Sequence, residues 1–232
     1  MTAKQKHKRM RKLAFLGVIA VIVVGMSILM MSRSEVLPID QLDTIYPVHA
    51  LGGIKTGDLP EQDRIWFPHR FEFKPYYTVT PLATFRLAGY VLSTRDYRGD
   101  RSPESQHSPV DFAMAWGGAA SPGSYNLLSV TQSNRFFNWS LPGGGLDESY
   151  VINQTANMHM VPYDSEVEEA LMKVEAGDEV RFRGYLVEIR AEDGWHWKSS
   201  LTRSDVGAGA CEVILVTELD HKKNKKPKRR KR

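Results

Sequence analysis

The pattern of apolar and polar positions opens with one unbroken apolar stretch and continues as a succession of strand signals. From Leu13 to Met31 no charged residue interrupts 19 positions. As a helix at about 1.5 Å per residue, that stretch reaches roughly 28 Å, close to the hydrocarbon thickness of a bilayer. A helix packed in a soluble core would show one polar face; this stretch shows none. A cleaved signal peptide has an apolar region of about 7–15 residues ending in a small-x-small site, whereas Met30, Met31, Ser32 and Arg33 follow here. The pattern therefore predicts a retained single-pass anchor over 13–31. Residues 32–77 lack a sustained period and are punctuated by Pro38, Pro47, Pro60, Pro68, Pro75, Gly52, Gly53 and Gly57. This predicts an extended connector, with Ile65, Trp66, Phe67, Phe71, Phe73, Tyr76 and Tyr77 expected to pack on the domain that follows.

Strand periodicity takes over at Thr78. Phe85, Leu87 and Val91 share one parity of a run over 78–94, and Gly89 stands where a curved sheet needs a bend. After a polar loop, Val110, Phe112, Met114 and Trp116 alternate with Asp111, Ala113 and Ala115, a second strand. Extended character resumes over 125–141, with Phe137, Trp139 and Leu141 in one parity and Asn134 marking a turn or bulge; this is the third predicted strand. The one soluble helix is predicted over 166–176: Ser165 and Glu168 form a capping box, Val167, Leu171 and Val174 fall on one face, and Gly177 suits the C-terminal left-handed position. Asp193-Gly194 joins strands over 178–190 and 195–201 as a hairpin, and a change of inward parity at Gly184 predicts a bulge. Trp195 and Trp197 share a face, with His196 on the other. A last strand runs over 212–219. A mainly β order with one helix between the third and fourth strands matches an OB-like five-stranded barrel over 78–220. A β-sandwich or an open α+β sheet would yield the same string of elements.

Composition, with 42% apolar and 25% charged residues, is that of a globular domain with appendages. Charge changes the picture once it is partitioned. The 1–12 segment carries six Lys/Arg and 221–232 carries nine (Lys222, Lys223, Lys225, Lys226, Lys228, Arg229, Arg230, Lys231, Arg232), leaving sixteen against 27 acidic residues in the body. The net charge of +4 thus belongs to two tails around an acidic domain, which argues against a basic nucleic-acid-binding core. Six basic residues before the anchor and only Arg33 directly after it predict a cytoplasmic N-terminus and a periplasmic domain at the inner membrane. The C-terminal tail becomes a candidate contact for anionic lipid or another polyanion, unless it is simply solvated and disordered.

Candidate chemistry is sparse. There is no G-x-S-x-G elbow, H-E-x-x-H pair, P-loop or dinucleotide-binding glycine pattern. Seven scattered histidines and the lone Cys211 show no metal-ligand spacing, so no metal or other cofactor is expected. Cys211 opens an apolar run that reads as a buried strand. Asn157 and His159 fall between strand and helix, where a barrel presents its ligand-binding end; the simpler reading is that they bond the turn before the helix. Together with Arg181 and Arg183 on one strand, and Arg203 and Asp205 ahead of the last, they form the candidate ligand or partner site. Three function classes follow: a non-catalytic binding or scaffolding domain of the envelope, single-strand nucleic-acid or polyanion binding by barrel and tail, and a hydrolase pairing His159 with Cys211 or Ser199. The first is preferred, with another envelope protein as partner. The segments 108–117, Ala156-Asn157-Met158-His159 through Pro162, and 195–212 with Ser199-Ser200-Leu201-Thr202-Arg203 and Gly209-Ala210-Cys211-Glu212 resemble a family of small bacterial membrane-anchored proteins. That resemblance implies an envelope location and brings no activity with it.

Overall fold

The computed structural model describes residues 15, 18, 19, 21, 35–202 and 211–223. Most of the 13–31 segment expected to be an anchor, together with Arg203, Asp205 and the residues from 224 on, lies outside them. Phe15, Val18, Ile19 and Val21 are helical and exposed, and among the described residues no helix is long and apolar enough to cross a membrane.

The fold is mainly β. Its strands are β1 (Val36–Leu37), β2 (Glu61–Arg64), β3 (Arg70–Lys74), β4 (Tyr77–Asp96), β5 (Val110–Ala115), β6 (Ser129–Ser133), β7 (Phe136–Ser140), β8 (Thr155–Pro162), β9 (Glu179–Ala191), β10 (His196–Lys198) and β11 (Glu212–Lys222). Its helices include α1 (Leu42–Ile45), α2 (Pro103–His107) and α3 (Ser165–Met172). The long strand β4 pairs antiparallel with β5 through residues 90–96 and with β9 through residues 77–90. From β5 the pairing passes to β8, from β8 in parallel to β11, and from β11 to β9, which returns to β4. β1, β2, β3 and β10 extend this nine-stranded sheet, while β6 and β7 form a separate hairpin.

Strands of the sheet bury both faces, so two cores form. Phe85, Leu87, Phe112, Met114, Met158, Met160, Phe182 and Ile214 fill the first, into which α3 sends Val167 and Leu171 and the turn after it sends Val174. Val79, Val161, Tyr185, Val187, Val213 and Leu215 turn the other way, toward Leu42 and Phe71. This two-sided burial accounts for the continuous apolar run at Val213–Val216, which a half-exposed strand would interrupt with polar residues.

Several expectations change. The 32–77 stretch carries β1, α1, β2 and β3, and Leu42, Leu51, Ile54 and Phe71 are buried. Trp66, Phe67 and Tyr76, expected to pack, are exposed. The strand that follows β5 in the main sheet is β8, not 125–141, whose apolar alternation belongs to the β6–β7 hairpin. Helix α3 is capped by Asp164, whose carboxylate accepts the Val167 N–H at 2.9 Å, rather than by Ser165. The irregularity expected at Gly184 falls on the facing strand, between Val216 and Glu218. Gly184 itself is a point of close approach: a Cβ there would overlap the Leu215 carbonyl and lie 3.1 Å from Val216 Cα. The Asp193-Gly194 turn forms with Gly194 at φ 96°, and Trp195 and Trp197 both pack on the second core while His196 is exposed.

Candidate functional site

β5 and β8 run side by side with Asp111 opposite His159 and Ala113 opposite Asn157. Alternate residues face opposite ways. With Phe112, Met158 and Met160 committed to the first core, Asp111, Asn157 and His159 meet on the other face. The hairpin of β6 and β7 contacts that face through its turn, where Asn134 and Arg135 sit at φ 51° and 67°. Two positive-φ residues suit the primed turns that match strand twist.

Arg135 holds the cluster together. One guanidinium nitrogen, Nη1, lies 2.6 Å from Asp111 Oδ1; the other, Nη2, donates to Ser105 Oγ at 2.6 Å and to the Ser108 carbonyl at 2.9 Å. The guanidinium carbon lies 3.7 Å from the centre of the Tyr97 ring, whose hydroxyl accepts the Arg135 backbone N–H at 3.0 Å. Burial, foremost, together with the Asp111 carboxylate pushes the Tyr97 phenol above its ordinary range against the opposing pull of Arg135. Asn157 donates to Asp111 Oδ2 at 3.2 Å and to the Arg135 carbonyl at 3.0 Å, and accepts from Gln132 at 2.7 Å. The His159 Nδ1 is 3.0 Å from Asp111 Oδ1 but lacks the alignment of a hydrogen bond, and its ring lies 4.7 Å from that of Trp197. Asp111 is wholly buried and His159 nearly so. A buried carboxylate must be met by donors, and here the guanidinium, Ser108 and Asn157 supply them.

Asn157 and His159 are therefore brought together, on a buried strand rather than in a turn before the helix. Arg181 and Arg183 lie elsewhere and are engaged: Arg181 with Asp220 at 2.6 Å, and Arg183 with Glu218 at 2.6 Å and the Val48 carbonyl at 2.9 Å. Their charge is thus balanced on the protein. Ser199 donates to the Ser200 carbonyl at 2.8 Å and accepts the Val213 N–H at 3.1 Å, so its hydroxyl is tied to backbone. Cys211 is only partly buried, with Sγ 3.8 Å from the Arg135 carbonyl. Lys222 ends β11, and Lys223 Nζ sits 3.8 Å from Glu175. Sequence reasoning missed Arg135, Asp111 and Tyr97. Arginine in a turn resembles an ordinary solvent-facing cation, and the turn or bulge expected at Asn134 was the one local hint.

A second buried polar group lies nearby. His107, at the end of α2, is wholly buried between Tyr77 (4.3 Å, edge-on), Trp195 (5.7 Å, stacked) and Phe73 (5.8 Å), and both its ring nitrogens lack a hydrogen-bond partner. Burial, aided by the Lys74 charge, lowers its pKa to about 4. The imidazole is neutral in the fold between that value and its ordinary 6.5, whereas the unfolded chain takes up a proton below 6.5. Stability from this group is therefore complete above pH 6.5 and falls, by up to about 1.4 kcal/mol per pH unit, as pH drops to about 4. Urea midpoints measured across that interval should decline in the native chain, and His107→Phe should flatten the decline.

Among the described residues no group of His, Cys, Asp and Glu is arranged to hold a metal ion. Comparison with protein-family models, with curated proteins and with solved structures finds no match to this chain. What the fold and site define is thus a mainly β domain with a polar cluster sealed beneath its own hairpin.

Proposed function

We propose that the chain is a single-pass inner-membrane protein, anchored through Leu13–Met31 with its N-terminus in the cytoplasm, whose periplasmic OB-like barrel binds or scaffolds an envelope partner without catalysing a reaction. The barrel reading is supported by the return of the strand circuit to β4, by the parallel β8–β11 pair, and by the position of α3 between the third and fourth strands of that circuit. One observation carries the preference for binding over catalysis. Both Asp111 oxygens and the Asn157 amide are taken up by donors and acceptors of the protein itself beneath the β6–β7 hairpin, whereas a hydrolytic site needs a nucleophile and base facing an open cleft. The hairpin then serves as the displayed surface, with Phe136 exposed at its edge. The basic tail adds attraction to anionic lipid, on the order of 1 kcal/mol for each charge that reaches the surface.

A photo-cross-linker placed at Phe136 in intact membranes should capture one discrete envelope protein that the same probe at Lys223 does not. A periplasm-dependent reporter fused after Arg232 should be active. Equal capture from both positions would overturn the binding surface, and activity of a cytoplasm-dependent reporter would overturn the location.

A further inference from the structure

Exposed Trp66 and Phe67 lie in the loop between β2 and β3, 71% and 65% accessible. Two adjacent large apolar side chains, flanked by a charged residue, are the kind of surface that meets a partner or a membrane, unlike a single exposed ring. The loop is pinned on both sides. Ile65 donates its N–H to the Leu82 carbonyl at 2.9 Å, and the Tyr46 hydroxyl accepts the His69 N–H at 3.0 Å and donates toward the Phe67 carbonyl at 3.1 Å. The aromatic pair is thus presented from a fixed backbone. The Arg64 guanidinium lies 4.6 Å from the Trp66 ring centre, and Arg70 follows at the start of β3.

The register of β1 places this loop. β1 runs parallel to β3, with Val36 beside Arg70 and Leu37 beside Phe71. The chain therefore enters β1 at the end of β3 that carries Trp66 and Phe67, and Tyr76 lies beyond the opposite end. Only residues 32–35 separate Met31 from Val36, and even fully extended they span at most roughly 18 Å.

We propose that Trp66 and Phe67 seat in the interfacial layer of the same bilayer that Leu13–Met31 crosses, with Arg64 facing lipid phosphates, fixing the domain's orientation on the membrane. The proposal rests on the anchoring reading above. The amphipathic Trp66 ring favours the headgroup level, Phe67 beside it adds apolar area, and Arg64 keeps its charge in the polar layer. A tethered domain gains such a contact at little further entropic cost, because the anchor already holds the loop within reach.

The test uses the full chain reconstituted in phosphatidylcholine and phosphatidylglycerol vesicles whose acyl chains are brominated near the headgroups. Tryptophan emission of the native chain should contain a quenched component that Trp66→Phe removes, and Tyr76→Trp added to that variant should not restore it. Near-ultraviolet circular dichroism checks that the variants keep the native packing. Equal fractional quenching of native chain and Trp66→Phe, in a protein that resists alkaline extraction, would overturn the inference and leave the anchor standing. Extraction by alkali would overturn the anchor and the inference together.

Discussion

Replacing Gly184 with alanine is expected to cost more than about 4 kcal/mol, beyond the ordinary range for a single substitution, and to leave little soluble domain. Gly184 sits on β9 between Phe85 of β4 and Val216 of β11. A Cβ would overlap the Leu215 carbonyl and come within 2.9 Å of its carbon. Those atoms are backbone, so rotamer changes cannot relieve the clash, and β9 is hydrogen-bonded on both flanks, so it cannot shift without opening one seam. Gly99 is the control, since an added Cβ meets nothing within 4 Å and its φ is ordinary. Gly99→Ala should change stability by no more than about 0.5 kcal/mol. Thermal and urea unfolding of the two variants measure the contrast. Similar midpoints for both would mean that the β9–β11 seam yields readily, and the strand circuit would then be open there.

Asp111→Ala should destabilise the domain by about 3–5 kcal/mol, the range for breaking a buried ion pair by removing one partner. The Arg135 guanidinium would keep its bonds to Ser105 and the Ser108 carbonyl while losing the carboxylate 2.6 Å away. Its charge would remain desolvated against Tyr97. Withdrawal of the hairpin into water would limit the loss, at the cost of exposing the β5/β8 face. The double variant Asp111→Ala with Arg135→Ala should lose less than the sum of the two single losses, because it strands no charge. Urea unfolding provides all three values. A loss below about 1 kcal/mol for Asp111→Ala would put the pair among solvent-screened surface contacts, and the cluster would not be what seals the hairpin.

Residues whose role depends on near neighbours were legible from the chain. The 3.6-residue spacing of Val167, Leu171 and Val174, the Asp193-Gly194 turn, and the alternation in β4 and β5 all report local backbone geometry, and each formed within a few residues of its expected bounds. The shared face of Trp195 and Trp197 followed from the same period-two rule. The third strand went astray because 125–141 has the stronger apolar alternation, whereas β8 interleaves Met158 and Met160 with Asn157 and His159.

Alternation assigns a residue to a face; it does not say what covers that face. Asp111 reads as the polar side of a half-exposed strand, yet it is buried because a hairpin about twenty residues further along lays Arg135 over it. The same holds for His107, which reads as part of a polar loop until β3, β4 and the turn before β10 close around it. Composition and periodicity thus settled a mainly β domain with its helix and hairpin, since those features depend on contacts a few residues apart. Which polar groups were sealed, and which aromatics were left facing outward, followed only from contacts between distant segments, because desolvation depends on everything packed around a group and not on its neighbours in the chain.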